Sequence, residues 1–124
     1  MGVTILIADD LSFMRMFQKE ILQERGYTVV GEAADGHEAV EKYRVLRPDI
    51  VLLDITMPNM NGLEAMRSIF AADPAARVIM CSALGQQNLV MEALKAGAKD
   101  FIVKPFKAER MLSAIEKALQ DPGQ

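Results

Sequence analysis

Four apolar residues in unbroken succession, Ile50 to Leu53, run directly into Asp54, with Pro48 ahead of them and Pro58 and Asn59 behind. A run this short, with no polar alternation, suits a strand covered on both faces, as the central strands of parallel sheets are. A carboxylate at the last step of such a strand emerges where open α/β sheets bind ligands. Asp54 is therefore the first candidate for a functional residue.

The rest of the chain repeats the same grammar. Val3 to Ala8 reads as a buried strand ending at Asp9 and Asp10. Met14, Phe17, Ile21 and Leu22 then recur at helical spacing as an inward face, with Gly26 as the stop. Tyr27 to Ala33 predicts a second strand. Asp35 followed by Glu38 predicts a capping box, opening a helix with Ala39, Val40, Tyr43 and Leu46 inward and Pro48 at its end. Asp49 to Leu53 is the third strand. Asn61 is expected to cap a helix running to Ala72 on a stripe of Leu63, Met66, Ile69 and Phe70. Arg77 to Cys81 and Asp100 to Val103 are the fourth and fifth strands, separated by a helix from Gln87 to Ala96 that Gly97 ends. A last helix, Lys107 to Gln120, carries Met111, Leu112, Ile115 and Leu119 on one face, and Asp121 to Gln124 is expected to fray.

Five strands alternating with five helices imply βα units, right-handed crossovers and a parallel sheet covered on both sides. The predicted class is α/β, a doubly wound (βα)5 domain spanning 1–124. No linker, repeat or low-complexity segment interrupts it, so no output domain is expected. The composition, 51% hydrophobic and 25% charged, excludes a disordered chain. A net charge of -3 leaves no basic footprint for nucleic acid or an anionic membrane. The lone Cys81 excludes an internal disulfide, and the first ten residues, MGVTILIADD, lack the basic region of a signal peptide. No stretch is apolar for long enough to insert in a membrane. A cytoplasmic monomer is the expectation.

Asp9, Asp10 and Asp54 form the central constellation. In the order 2-1-3-4-5, borrowed here from known flavodoxin-like sheets rather than deduced from these residues, strands one and three are neighbours and the three carboxylates converge. They repel unless a cation neutralises them. Oxygen donors with no His or Cys favour a hard divalent ion, and Mg2+ fits best. Set against this, a single Asp near a helix start is ordinarily a cap; two adjacent ones facing a third are not so easily explained. Ser82 follows strand four and Lys104 follows strand five, just before Pro105. Alone, Ser82 would be a turn residue and Lys104 a solvated one. Beside the aspartates they supply the hydroxyl and ammonium that a phosphoryl group on a carboxylate needs. Asp54 would then be a carboxylate nucleophile that forms an aspartyl phosphate.

With IADD at 7–10, LLDITMPNMNG at 52–62, MCSA at 80–83 and KPF at 104–106, the chain resembles the receiver domain of two-component response regulators, and within that family the single-domain chemotaxis regulators. The resemblance implies that Asp54 accepts phosphate from a histidine kinase of the CheA type. It implies that Asp10, Asp54 and the Thr56 carbonyl bind Mg2+ directly and Asp9 through water. Ser82 would be the switch hydroxyl, Phe101 the switch aromatic and Lys104 the phosphate-pairing lysine, with a cis bond to Pro105. Phosphate would draw Ser82 inward and turn Phe101 in, repacking the face of helix four, strand five and helix five. That face would bind a flagellar motor-switch protein of the FliM type, and a phosphatase is a further partner. Apart from its own phosphorylation and slow dephosphorylation, no enzymatic activity is implied. Many chemotaxis regulators carry Tyr where Phe101 stands, and Phe cannot donate a hydrogen bond to a partner. Thr56 and Leu84 occupy the positions that tune hydrolysis in the family.

Other readings fare less well. A phosphohydrolase of the haloacid dehalogenase type needs a second Asp two residues after the nucleophile, and Thr56 stands there. A flavodoxin-like cofactor site would meet repulsion from Asp9 and Asp10. A pseudo-receiver that never takes phosphate would not need all five signature positions. Isolated receivers in sporulation or twitching-motility relays are the alternative within the family. His37 is expected on a solvated helix face, Cys81 as an inert buried thiol, and the nine Met residues as core filler, with Met57 and Met60 beside the pocket. Arg15, Lys19, Lys95 and Lys99 are expected on solvated faces, some of them available to dock a kinase or an acidic peptide.

Overall fold

The computed structural model describes residues 2–120. Five strands, β1 (Thr4–Ala8), β2 (Thr28–Ala33), β3 (Ile50–Asp54), β4 (Val78–Ser82) and β5 (Asp100–Val103), alternate with helices α1 (Ser12–Glu24), α2 (Gly36–Leu46), α3 (Gly62–Ala72), α4 (Gln87–Ala96) and α5 (Ala108–Gln120). The sheet is parallel throughout and ordered β2-β1-β3-β4-β5. This is the doubly wound, flavodoxin-like arrangement.

The apolar runs are unbroken because both sheet faces are covered. Along β3, Val51 and Leu53 enter one core with Leu6, Ala8, Val78 and Met80, closed by residues of α2, α3 and α4 such as Tyr43, Met66 and Val90. Ile50 and Leu52 enter the other with Ile5, Ile7, Ile79 and Ile102, closed by Leu22 of α1 and by Met111 and Ile115 of α5. Successive side chains of a strand point to opposite faces, so each of the four apolar residues of β3 finds a core.

Local signals place the helix ends. Asn61 caps α3 in a reciprocal box with Glu64. At α2, Asp35 accepts from the Glu38 N–H, but the Glu38 carboxylate reaches back to Ala34 rather than to Asp35. Gly26 and Gly97, both at positive φ, follow α1 and α4 as expected. Two expected inward residues face outward. Phe17 is exposed and lies at the rim, its ring 5.7 Å from that of Phe106, while Gln18 is buried in its place. Leu46, in the last turn of α2, is exposed at the sheet edge over Gly31. The expected fraying of Asp121 to Gln124 falls outside the described residues.

Gly62 matters most for the functional edge. A Cβ there would overlap the carbonyl oxygen of Asp54, so α3 can start against the end of β3 only with glycine at this position. The contact is fixed by a hydrogen bond from the Gly62 N–H to the Ile55 carbonyl, 2.8 Å. Replacing Gly62 by Ala is expected to lower stability by about 1–3 kcal/mol in urea unfolding, because the added carbon displaces the Asp54 backbone. Unchanged stability would show that the backbone yields without strain.

Candidate functional site

The carboxyl ends of β1, β3, β4 and β5 form one edge. Asp9 follows β1 and is fully buried; its Oδ1 accepts from the Leu11 N–H at 2.9 Å and its own N–H donates to the Ala33 carbonyl. Asp10, next in the chain, is exposed. Asp54 ends β3 and is 6% exposed. Parallel pairing of β1 with β3 brings these carboxylates together, and one oxygen from each of Asp9, Asp10 and Asp54 lies within 4.8 Å of the others. Three hard oxygen donors at this spacing suit a divalent cation such as Mg2+.

From the end of β5, Lys104 extends its ammonium into the same crevice, 2.8 Å from Asp9 Oδ2 and 3.0 Å from Asp54 Oδ2. The Lys104 N–H donates to the Ser82 carbonyl, and the Lys104–Pro105 bond is cis. Burial raises the Asp54 carboxyl to about 6 from 3.8, opposed by the Lys104 charge and reinforced by Asp9 and Asp10. Burial also works to lower the Lys104 pKa, but its hydrogen bond to Asp9 and the charge of Asp54 outweigh this and raise it.

Ser82 is buried at the last position of β4, one residue beyond Cys81, the register partner of Asp54. Beneath the β4–α4 loop lies a cavity of about 150 Å3, lined by Ser82, Leu84, Val90, Met91 and Phe101 among others. Phe101 is half-buried against the α2–α4 core, with the Arg110 guanidinium 5.9 Å from its ring centroid. Thr56 is exposed on the β3–α3 loop. The expected residues thus share one edge, with Phe101 one layer below it.

Other expectations need adjustment. Arg15 is no solvated residue: its side chain is mostly buried, donates to the Asp9 carbonyl at 2.6 Å and pairs with Glu32. Lys19 also pairs with Glu32. Met57 sits in the core, and the Met60 backbone packs against Gly36 of α2. His37 is exposed on α2. Cys81 is buried, and burial pushes its thiol up to about 12. Two glutamines hold places that no sequence motif signals. Gln18 lies 3.9 Å from Cys81 Sγ, and Gln86 joins Thr56 to Ala83.

Residues 5–116 match the family model described as the response regulator receiver domain. The chain belongs to that family. Receiver domains are phosphoacceptor modules of two-component signalling. The chain is 58% identical to a chemotaxis protein CheY of Thermotoga maritima, over 94% of this chain and 98% of the relative. It is 56% identical to a chemotaxis protein CheY of Bacillus subtilis, over 96% and 99% respectively. Among solved structures, the receiver superposes on a chain of the CheX-CheY-BeF3-Mg+2 complex from Borrelia burgdorferi with a TM-score of 0.92, at 41% identity over 96% of this chain and 90% of that one. No helix among the described residues is long and apolar enough to cross a membrane.

Ionising Asp54 in the folded receiver is costly, which sets the sign of a pH effect. Its pKa is raised on folding, so its favourable contribution holds below about pH 4 and is lost as pH rises through about 6. Without divalent cation, Asp54→Asn is expected to gain stability relative to the unsubstituted chain between pH 4 and pH 7, by about 2–3 kcal/mol. Thermal melts in chelator across that range check this; a difference independent of pH would contradict it.

Proposed function

We propose that this receiver takes a phosphoryl group from a phosphohistidine kinase onto Asp54 and passes the change to a chemotaxis target. The observation that carries the reading is the shared crevice, in which Lys104 holds Asp9 and Asp54 together and Asp10 stands within reach of the same ion. In the transfer, an Asp54 carboxylate oxygen forms the new P–O bond as the P–N bond to the donor imidazole breaks, and the imidazole keeps the electron pair and takes up a proton. Asp10, Asp54 and the Thr56 carbonyl would hold Mg2+ directly, with Asp9 acting through water. When bound, the ion offsets charge on the phosphoryl oxygens. Lys104, already placed by its ion pairs, turns its ammonium to one phosphoryl oxygen, and the Ser82 hydroxyl donates to another.

Movement of Ser82 then draws on the cavity below its loop, into which Phe101 can swing. This couples the crevice to the face of α4, β5 and α5. The kinase is of the CheA type and the target a motor-switch protein of the FliM type, a reading supported by the CheY relatives. A phosphatase is a further partner in this reading, and the neighbour solved as a CheX-CheY complex supports a second protein binding the receiver.

Incubation with acetyl phosphate, followed by intact mass, tests the chemistry. Phosphoprotein should form only with Mg2+ present and should be absent in Asp54→Ala. Equal modification of the alanine variant would place the chemistry elsewhere. For the target, a motor-switch peptide should be retained by the BeF3--loaded receiver and lost without BeF3-.

A further inference from the structure

Residues 83–86 carry the chain from β4 to α4 above the 150 Å3 cavity, and Gly85 among them adopts a φ of 88° that other residues rarely tolerate. The loop lines this cavity, and Gln86 ties it by two hydrogen bonds. The Gln86 side-chain carbonyl accepts from the Ala83 N–H at 2.7 Å, and its amide donates to Thr56 Oγ1 at 2.6 Å. One bond closes the loop on itself. The other crosses to the β3–α3 loop, two residues beyond Asp54. Gln86 is also the residue that precedes the first turn of α4, yet its side chain makes no hydrogen bond to that helix. Asp35 and Asn61, in the same position before α2 and α3, cap their own helices. The Gln86 amide instead spans the gap between two loops.

We propose that Gln86 is a positioning residue that ties the loop bearing Ser82 and Ala83 to Thr56 and sets how readily Ser82 moves to a modified Asp54. The proposal deepens the phosphoacceptor reading and rests on it. Any shift of Ser82 toward a group on Asp54 carries the neighbouring Ala83 N–H with it, while Thr56 remains on the other bank. In this proposal both hydrogen bonds belong to the unshifted loop alone, which holds the moved loop to a minor population. Apparent affinity for a ligand that selects the moved loop falls by the same fraction, here about 2- to 10-fold for a tether of this strength.

The test is a titration with BeF3- in saturating Mg2+, followed by backbone amide NMR, on the unsubstituted receiver and on Gln86→Leu. The leucine keeps the bulk and loses both bonds. BeF3- is expected to bind about 2- to 10-fold more tightly to the variant, and the Ala83 amide proton of the ligand-free variant should move upfield as its acceptor is lost. Thr56→Val severs only the crossing bond and should also tighten binding, with the double variant gaining less than the product of the two. Gln86→Ala must give the same direction as Gln86→Leu. A folded Gln86→Leu that binds BeF3- as the unsubstituted protein does, or more weakly, overturns the tether alone. Failure of the unsubstituted receiver to bind BeF3- overturns the phosphoacceptor reading, and the tether with it.

Discussion

Lys104 is the interaction on which the functional edge depends. Asp9 and Asp54 lie almost entirely out of solvent, where two like charges are expensive, and the ammonium between them is what makes the arrangement tolerable. Its placement requires the whole sheet. Lys104 leaves the end of β5 and Asp9 follows β1, three strands away in the sheet order, yet their charged groups meet at 2.8 Å above the strand ends. The hydrogen bond from the Lys104 N–H to Ser82 sets where the lysine side chain begins. An arginine would bring a broader, planar head into the same space.

This one cation also offsets part of the negative charge that the three carboxylates gather at the edge. Charge-assisted bonds at 2.8 and 3.0 Å keep the carboxylates close enough to share an ion. Arg15 supports the arrangement from behind by binding the Asp9 carbonyl. Gly62 supports it from the side by letting α3 abut the Asp54 backbone.

Much of this is legible in the residues. Unbroken runs such as Ile50 to Leu53 announce strands buried on two faces, and Asn61, Gly26 and Gly97 mark helix ends by local chemistry that packing does not override. The acidic strand ends are legible because a carboxylate closing an apolar run is costly to desolvate and is kept where it has charge to bind. Strand order is not deducible from the chain and comes by likeness to known sheets. Helical periodicity indicates a face, but not where that face runs past the sheet's rim, so Phe17 and Leu46 fit an inward stripe yet lie at the margin. Gln18 sits one turn from Leu22 and is carried inside by that spacing despite its polarity. Arg15 and Gln86 look like ordinary polar surface because their partners, the Asp9 carbonyl, Ala83 and Thr56, meet them only once the sheet assembles.

The two sides of the crevice differ mechanically. The Asp54 side is backed by a glycine with no room for one more carbon and by a doubly hydrogen-bonded helix start. The Ser82 side overhangs empty volume. Of the two walls, the one beside α4 has room to yield and the one beside α3 has none.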